Sequence, residues 1–412
     1  MRLTPRPGDL DEQRLVDAAA IGRRRSADQL AEWFGGFRFE DLDFSADGNR
    51  ASLLSVAHHL LEGLNAEEVV DRDIINSDLP FPRLKVSGRE GKSLDPSVDN
   101  IVRPANHETD IVQVRSFRII DVLTEGATLV VNHLGPRGGR SIAELINHLS
   151  RVTATSVQVN VYMSEREAVG FGRHWDDHDV LIVQCKGKKY WEIFTPGELS
   201  PIIDYVSRDS CGESVWSGVL DPGSALYIPR GWAHEVRGFV GELSIHYTLG
   251  IRRFTGFDLL SWLTSHDNWD DLSSWISTEE GPDVLESVHL DEAAIEYGLA
   301  MWRGAMPAVA WVGPVALDRA LAEDLIGWQI VPALVGGAVL GSPKDDEHLV
   351  LYASGNPFSF RRDAVPIVAR LLEGDPTTVD ELHDLAPKRS RASIIDLVRG
   401  LGSWDLVQVV TS

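Results

Sequence analysis

The chain has 412 residues, with 39 Lys plus Arg against 62 Asp plus Glu, for a formal charge of −23. So acidic a chain lacks the basic footprint that non-specific nucleic-acid binding requires, although its charge would help to steer a cationic protein partner. The length allows two or three domains, the first residues hold no signal-peptide-like apolar run, and no stretch reaches the roughly 18 apolar residues that span a bilayer.

Residues 1–50 read as a lead-in, with a short amphipathic helix from Ser26 to Phe37 and Ser26 as its N-cap. Residues 51–75 carry a second helical pattern. Its adjacent His58 and His59 point to different faces and read as structural rather than as a chelating pair. Residues 76–110 are rich in Pro, Gly and Asp and read as a long surface excursion. From about 115 the pattern becomes a series of short runs rich in Val, Ile, Leu and Tyr. These are SFRIID, ATLVVNHL, VQVNVYM, VLIVQCKG, KYWEIF, SALYIPR and LSIHYTLG, most of them separated by turn residues. Such a series predicts an antiparallel barrel or double-sheet jelly roll, and one helix, SIAELINHLSRV, interrupts it between the second and third strands. The two cysteines, Cys185 and Cys211, lie in strand-like or nearby loop segments without CxxC spacing. They read as reduced thiols of a cytoplasmic protein rather than as a thiolate metal site or disulfide framework.

After about 255 the pattern turns helical. FDLLSWLTSHDNWDDLSSWIS and LDEAAIEYGLAMWRGA carry aromatic stripes that fit either internal packing or a dimer face. The end of the chain reads helix, turn, helix, strand in TTVDELHDLAP, SRASIIDLVRGLG and WDLVQVV, which resembles a winged-helix module. The expected organisation is thus a mainly β jelly-roll domain with a helical lead-in over 1–255, a helical dimerisation region over 256–328 and a winged-helix-like module over 329–412. Residues 331–412 hold 8 Lys/Arg and 11 Asp/Glu, a net of −3 that argues against DNA reading by that module.

The sharpest local feature is GFGRHWDDHDVLIVQCKGKKYWEIF, residues 170–194. His174 and Asp176 stand two apart at the mouth of a strand, so an imidazole and a carboxylate share one side. The later SALYIPRGWAHEV is a strand, a Pro-Arg-Gly turn and then His234, which a jelly roll can bring face to face with the first pair. Two histidines and one carboxylate on one face leave about three positions open on an octahedral ion. That suits iron(II) binding a bidentate oxoacid and dioxygen, whereas a zinc hydrolase needs one open position. His178 fits either a place beside the site or solvent. Lys189, fifteen residues after His174, starts the return strand after the KGK turn and can reach into a barrel to pair with a carboxylate, while Lys186 and Lys188 read as exposed turn residues. Asn160 and Tyr162 share a strand face and fit either hydrogen bonds to cosubstrate or substrate, or a structural place in the core.

Together these residues resemble the cupin-like JmjC oxygenases, in particular the ribosomal-oxygenase branch. The resemblance runs through Asn160-Val-Tyr162, Gly170-Phe-Gly-Arg-His174-Trp-Asp176-Asp177, Gln184 and Gly187-Lys-Lys189-x-Trp191. It resumes at Leu226-Tyr-Ile-Pro-Arg-Gly-Trp232-x-His234 and Ser244-Ile-His246-Tyr-Thr248, and so covers about 115–250. It implies iron(II) at His174, Asp176 and His234, the distal carboxylate of 2-oxoglutarate on Lys189, and Asn160 and Tyr162 close to cosubstrate and substrate. It also implies the order catalytic barrel, helical dimerisation region, winged helix. Three features depart from the branch. Gly250 stands where serine is common, the Trp-x-Lys-x-Pro segment near the start is missing, and the 76–110 excursion is unfamiliar. All three bear on the substrate more than on the metal.

The implied reaction is hydroxylation of an unactivated C–H bond with dioxygen, 2-oxoglutarate giving succinate and carbon dioxide. The implied substrate is a protein or peptide side chain, such as His or Arg of a ribosomal protein, and the implied assembly is a homodimer without membrane or direct DNA contact. The alternatives are a tailoring hydroxylase of a peptide natural product, a lysine demethylase, a metal-binding cupin without oxygenase activity, and a winged-helix regulator with the barrel as sensor. Lys189 weighs against the inert cupin, because a buried ammonium facing an empty pocket is unfavourable.

Overall fold

The computed structural model describes residues 10–42, 49–75, 84–87, 100–104, 110–114, 116–165, 172–196, 212–252, 319–333, 339–341, 347–353, 356–403 and 406–411. In chain order the elements are α1 (Leu10–Trp33), β1 (Ser52–Ser55), α2 (His58–Leu64), α3 (Ala66–Ile75), β2 (Leu84–Ser87), β3 (Asn100–Pro104), β4 (Asp110–Val114), α4 (Ser116–Thr124) and β5 (Thr128–Val131). Then follow α5 (Arg140–Thr153), β6 (Ser156–Ser164), β7 (Asp179–Lys186), β8 (Lys189–Pro196), β9 (Ser214–Leu220), β10 (Ser224–Ile228), β11 (Trp232–Arg237) and β12 (Ser244–Arg252). The C-terminal elements are β13 (Trp328–Pro332), β14 (Val339–Gly341), β15 (His348–Ala353), β16 (Asn356–Arg361), α6 (Val365–Leu372), α7 (Val379–Leu385), α8 (Arg391–Gly402) and β17 (Val407–Thr411).

Among the described residues, 26–252 form one unit, and 10–25 with 319–411 form another. In the first, a seven-stranded antiparallel sheet of order β1-β10-β7-β12-β6-β5-β2 accompanies a three-stranded sheet of order β11-β8-β9. This is the expected jelly roll. The alternation VQVNVYM explains how the large sheet is used. Val157, Val159, Val161 and Met163 of β6 are buried in one cluster with Ile142, Leu145, Ile146 and Leu149 of α5. Each such aliphatic contributes about 1.5–3 kcal/mol on full burial. The intervening Gln158, Asn160 and Tyr162 line a cavity on the other face. A second, smaller cluster joins Val180 and Ile182 of β7 to Trp191 and Ile193 of β8 and to Leu226 and Ile228 of β10, so the two sheets face one another across it.

Four sequence readings need correction. SFRIID is not a strand but the helix α4, where Ile119 and Leu123 are buried one turn apart while Ile120 is exposed. Ser26 does not cap a short helix. α1 begins at Leu10, with Asp11 and Glu12 in its first turn, and Ser26 lies buried inside it with its hydroxyl 3.0 Å from His148 Nδ1. The 51–75 stretch is not helical throughout. Ser52–Ser55 pairs with β10 before α2 starts at His58, and His58 and His59 are exposed beside Glu62 and Glu32. The 76–110 excursion is in part sheet, because Leu84–Ser87 pairs with β5 and brings Lys85 to the cavity wall, and Asn100–Pro104 pairs with β4.

In the C-terminal unit, β13 pairs with β17, and β14, β15 and β16 form a three-stranded sheet. Its core includes Leu349, Leu351, Ile367, Leu371, Leu382, Ile394 and Val398. α7 starts with a capping box between Thr378 and Glu381, and Ser390 caps α8. The helical region expected over 256–328 lies outside the described residues up to 318, as does Cys211. Among the described residues no helix is long and apolar enough to cross a membrane.

Candidate metal centre

The segment Gly172–Asp176 runs beside β11 and meets it through an isolated antiparallel bridge between His174 and His234. The His174 N–H donates to the His234 carbonyl at 3.1 Å, and the His234 N–H donates to the His174 carbonyl at 2.8 Å. In such a pair both side chains leave on the same face. The two rings are 4.4 Å apart, and Asp176 places Oδ1 3.8 Å from His174 Nε2 and Oδ2 3.7 Å from His234 Nε2. One ligand atom from each of the three lies within 4.8 Å of the others, a separation one ion can bridge.

The tautomers suit a metal. His174 Nδ1 lies 2.9 Å from the Gly172 carbonyl and His234 Nδ1 lies 3.2 Å from the Trp232 carbonyl. A carbonyl only accepts, so each Nδ1 carries the proton and each Nε2 lone pair is turned to the shared space. Burial, and next the neighbouring His174, lower the His234 pKa to about 4. It is therefore neutral at physiological pH, with no proton to displace before metal binds. The donor set is two imidazole nitrogens and one carboxylate on one face, which fits an ion that keeps open positions for other ligands.

Two buried polar side chains hold the rest of the frame. Asp179 is fully buried at the first position of an apolar strand, and its Oδ1 accepts the Arg230 N–H at 2.6 Å. That fixes the Pro229-Arg230-Gly231 turn that delivers His234. Gln184 is also fully buried, and its Nε2 donates to the carbonyls of Lys186 and Gly187 at 2.7 and 3.0 Å. The turn needs Gly187, which has φ +58° and whose Cβ would lie 2.3 Å from the Leu243 carbonyl oxygen. Sequence reasoning gave Asp179 no part, and Gln184 only a place in the resemblance. Their signal was a polar residue placed in an otherwise apolar strand.

Lys189 follows that turn, is buried, and lines the same cavity as His174, Asp176 and His234, whose volume is about 470 Å³. Among the described residues no carboxylate lies within ion-pair distance of it, and burial lowers its pKa to about 8. His234 pairs with Ile193, and Lys189 lies four residues along the same strand on the same face. The Cα levels are thus about 13 Å apart. With the lysine stem extended toward the triad, the remaining gap suits a short dicarboxylate held at both ends. A buried cation without a counter-charge at one end and three metal donors at the other therefore fit a 2-oxoacid with a distal carboxylate.

Asn160 and Tyr162 both line this cavity. Asn160 Oδ1 accepts the His133 N–H at 3.0 Å, which leaves its NH₂ as the donor end, while His133 itself takes a left-handed φ of 52°. Tyr162 stacks flat on His246, centroids 5.0 Å apart, and His246 meets Trp191 edge-on. Burial, and then Lys189, hold the His246 pKa well below its usual value. His178 lines the wall near the triad, and its Nδ1 donates to Asp177 Oδ1 at 2.7 Å. Its ring explains Gly250, because a Cβ there would lie 2.8 Å from His178 Cδ2 and Nε2. Lys186 and Lys188 pair with Glu67 and Asp221 at the surface. Cys185 is a free thiol whose pKa burial raises to about 12, so it is not a reactive group.

Comparison with known proteins agrees with this geometry. Residues 140–259 match the JmjC domain family. Ribosomal oxygenase 1 of Homo sapiens is 35% identical over 95 residues, which is 22% of this chain and 15% of that protein. The bifunctional lysine-specific demethylase and histidyl-hydroxylase NO66 of Drosophila persimilis is 37% identical over 95 residues, 23% of this chain and 14% of that protein. The match thus spans about a seventh of the length of these relatives. Among solved structures, the Escherichia coli ribosomal oxygenase YcfD has the same fold, with a TM-score of 0.56 and 15% identity over 88% of this chain and 95% of that one. A YcfD structure in complex with cobalt and 2-oxoglutarate gives a TM-score of 0.54, with the same identity and coverage. Over residues 140–259 the chain is therefore similar to the JmjC domain, and over 95 residues to ribosomal oxygenase 1.

Proposed function

We propose that the chain is an iron(II)- and 2-oxoglutarate-dependent oxygenase that hydroxylates a side chain of a protein or peptide. The observation that carries this reading is one cavity with a His174, Asp176 and His234 donor set at one end and, at the other, the buried Lys189 ammonium, uncompensated among the described residues. The three donors would hold the iron, and Lys189 would take the distal carboxylate. Bound iron and 2-oxoglutarate supply the activation of dioxygen, giving succinate, carbon dioxide and a hydroxylated C–H position. The residues of the chain have simpler tasks. The Gly172 and Trp232 carbonyls orient the two imidazoles, Asp179 holds the turn before His234, and Gln184 holds the turn before Lys189. The Asn160 NH₂ and the Tyr162 ring border the cavity where cosubstrate and substrate would meet.

The names of the relatives support a ribosomal protein as substrate, and the charge of −23 suits such a cationic partner. The helix-turn-helix of α7 and α8 followed by β17 supports a winged-helix-like module over 329–412. Its net charge of −3 supports a role other than DNA reading. The aromatic stripes of 256–328 support a dimerisation region after a catalytic domain over 1–255, and the paucity of cysteines supports a cytoplasmic setting.

The test is anaerobic binding of 2-oxoglutarate with manganese(II), followed by succinate formation on adding iron(II) and air. Absence of both removes the proposal. A second reading, demethylation of lysine, has the name of the Drosophila relative behind it. Formaldehyde released in step with succinate on a methylated peptide separates it from hydroxylation.

A further inference from the structure

We infer that Arg173, together with Glu235 and Phe194, is a positioning device for the metal-capable triad, setting the segment that carries His174 against the strand that carries His234. The inference rests on the reading of that triad as a metal site. It begins with the His174–His234 bridge, in which His234 belongs to β11 while His174 lies in no named strand. Among the described residues one further backbone hydrogen bond joins the two segments, Gly231 N–H to the Asp176 carbonyl at 3.1 Å, a short ladder with little of its own to hold its register. In antiparallel pairing, the residue before His174 lies opposite the residue after His234. These are Arg173 and Glu235, and their side chains leave on the face away from the two imidazoles.

That outer face is built. The Arg173 guanidinium lies over the Phe194 ring, Cζ 3.7 Å from its centroid, well inside the range of cation–π attraction. Arg173 Nε is 3.7 Å from Glu235 Oε2 and is itself buried without a hydrogen-bond partner among the described residues. Glu235 gives its other oxygen to Arg237, whose Nε and Nη2 donate to Oε1 at 3.1 and 2.8 Å. The carboxylate is thus divided between two guanidinium groups, and it needs both, because Glu192 lies directly opposite Glu235 in the β8–β11 pairing. On the other flank of His174, Trp175 packs in one buried cluster with Phe194 and Ala233. Phe194 therefore carries both neighbours of His174, one by stacking and one by apolar contact.

At 3.7 Å, with Arg173 part-exposed, the ion pair contributes little to stability, and the expected effect is on geometry. The readouts are therefore titration of the full-length protein with cobalt(II) alone, followed by visible d–d absorption, and the melting temperature without metal. In Arg173→Gln and Phe194→Leu, cobalt affinity falls about tenfold and the d–d bands shift, as for loss of groups that orient metal ligands. The metal-free melting temperature stays within about 3 °C of wild type. Arg173→Lys, which keeps the charge but not the planar stack, falls between. Should Arg173→Gln not fold, Glu235→Gln carries the test with the same expected loss of affinity. Unchanged cobalt affinity and spectrum in the folded variants overturn the inference and leave the metal site standing. A wild type that binds no cobalt overturns the metal site and the inference with it.

Discussion

His174 and His234 exchange both of their backbone hydrogen bonds, at 3.1 and 2.8 Å, which turns the two imidazoles to one face. The rings are 4.4 Å apart, and each donates its Nδ1–H to a backbone carbonyl. With the pair set by its backbone bonds and by the side chains behind it, a ligand substitution should empty the site without unfolding the barrel. Asp176→Ala is expected to abolish detectable manganese(II) binding and to reduce succinate formation by more than about a hundredfold, with the metal-free melting temperature nearly unchanged. Isothermal titration and calorimetry check both halves. A chelator added to wild type should mimic the activity loss and be reversed by iron(II).

Lys189 is the group for which stability and binding oppose one another. It is buried and has no carboxylate within ion-pair distance among the described residues. Lys189→Met keeps the volume and removes the buried charge. The metal-free protein is expected to gain about 1–3 kcal/mol in urea unfolding. The same variant should bind 2-oxoglutarate at least about tenfold more weakly.

The depressed Lys189 pKa, about 8, sets a pH dependence in two directions. Without ligand, the folded chain releases this proton near pH 8 while the unfolded chain keeps it to about 10.5, so this group makes stability rise between those values. Binding of 2-oxoglutarate needs the ammonium. Its affinity should therefore be level below pH 8 and then weaken by up to about tenfold per pH unit. Anaerobic titrations at pH 7, 8 and 9 check it, and a level affinity through pH 9 shows that Lys189 keeps its proton beyond that pH.

Gly250 and His178 are matched in size. A Cβ at 250 would lie 2.8 Å from the His178 ring, so Gly250→Ser should destabilise by about 1–3 kcal/mol. His178→Ala should restore most of that loss in the double variant. A double-mutant cycle by urea unfolding measures the coupling, expected to exceed about 1 kcal/mol. Additive effects would show that the ring does not occupy that space in solution.

Asp179 should behave as a structural residue with a functional consequence. Asp179→Ala leaves the Arg230 N–H without its acceptor and frees the turn ahead of His234. A loss of about 2–4 kcal/mol in urea unfolding is expected, together with weaker cobalt binding.

The residue spacing alone determined the parts of this protein whose physics is local. Alternation along VQVNVYM placed Asn160 and Tyr162 on one face, the i, i+2 spacing put His174 with Asp176, and the KGK turn put Lys189 at the start of a strand. The same local reasoning misplaced SFRIID, because a short apolar run is compatible with a strand or a helix until its packing is known, and the burial of Ile119 and Leu123 shows the helix. It also took part of 76–110 for loop, since the edge strand Leu84–Ser87 is defined by its partner β5 and not by its own pattern. Only the tertiary structure decided the pairing of His174 with His234, the orphan charge of Lys189 in their cavity, the size match of Gly250 with His178, and the Arg173, Glu235 and Phe194 contact behind the ligands. Those are relations between residues distant in the chain. No spacing encodes them, because they depend on which strands the closed jelly roll brings together.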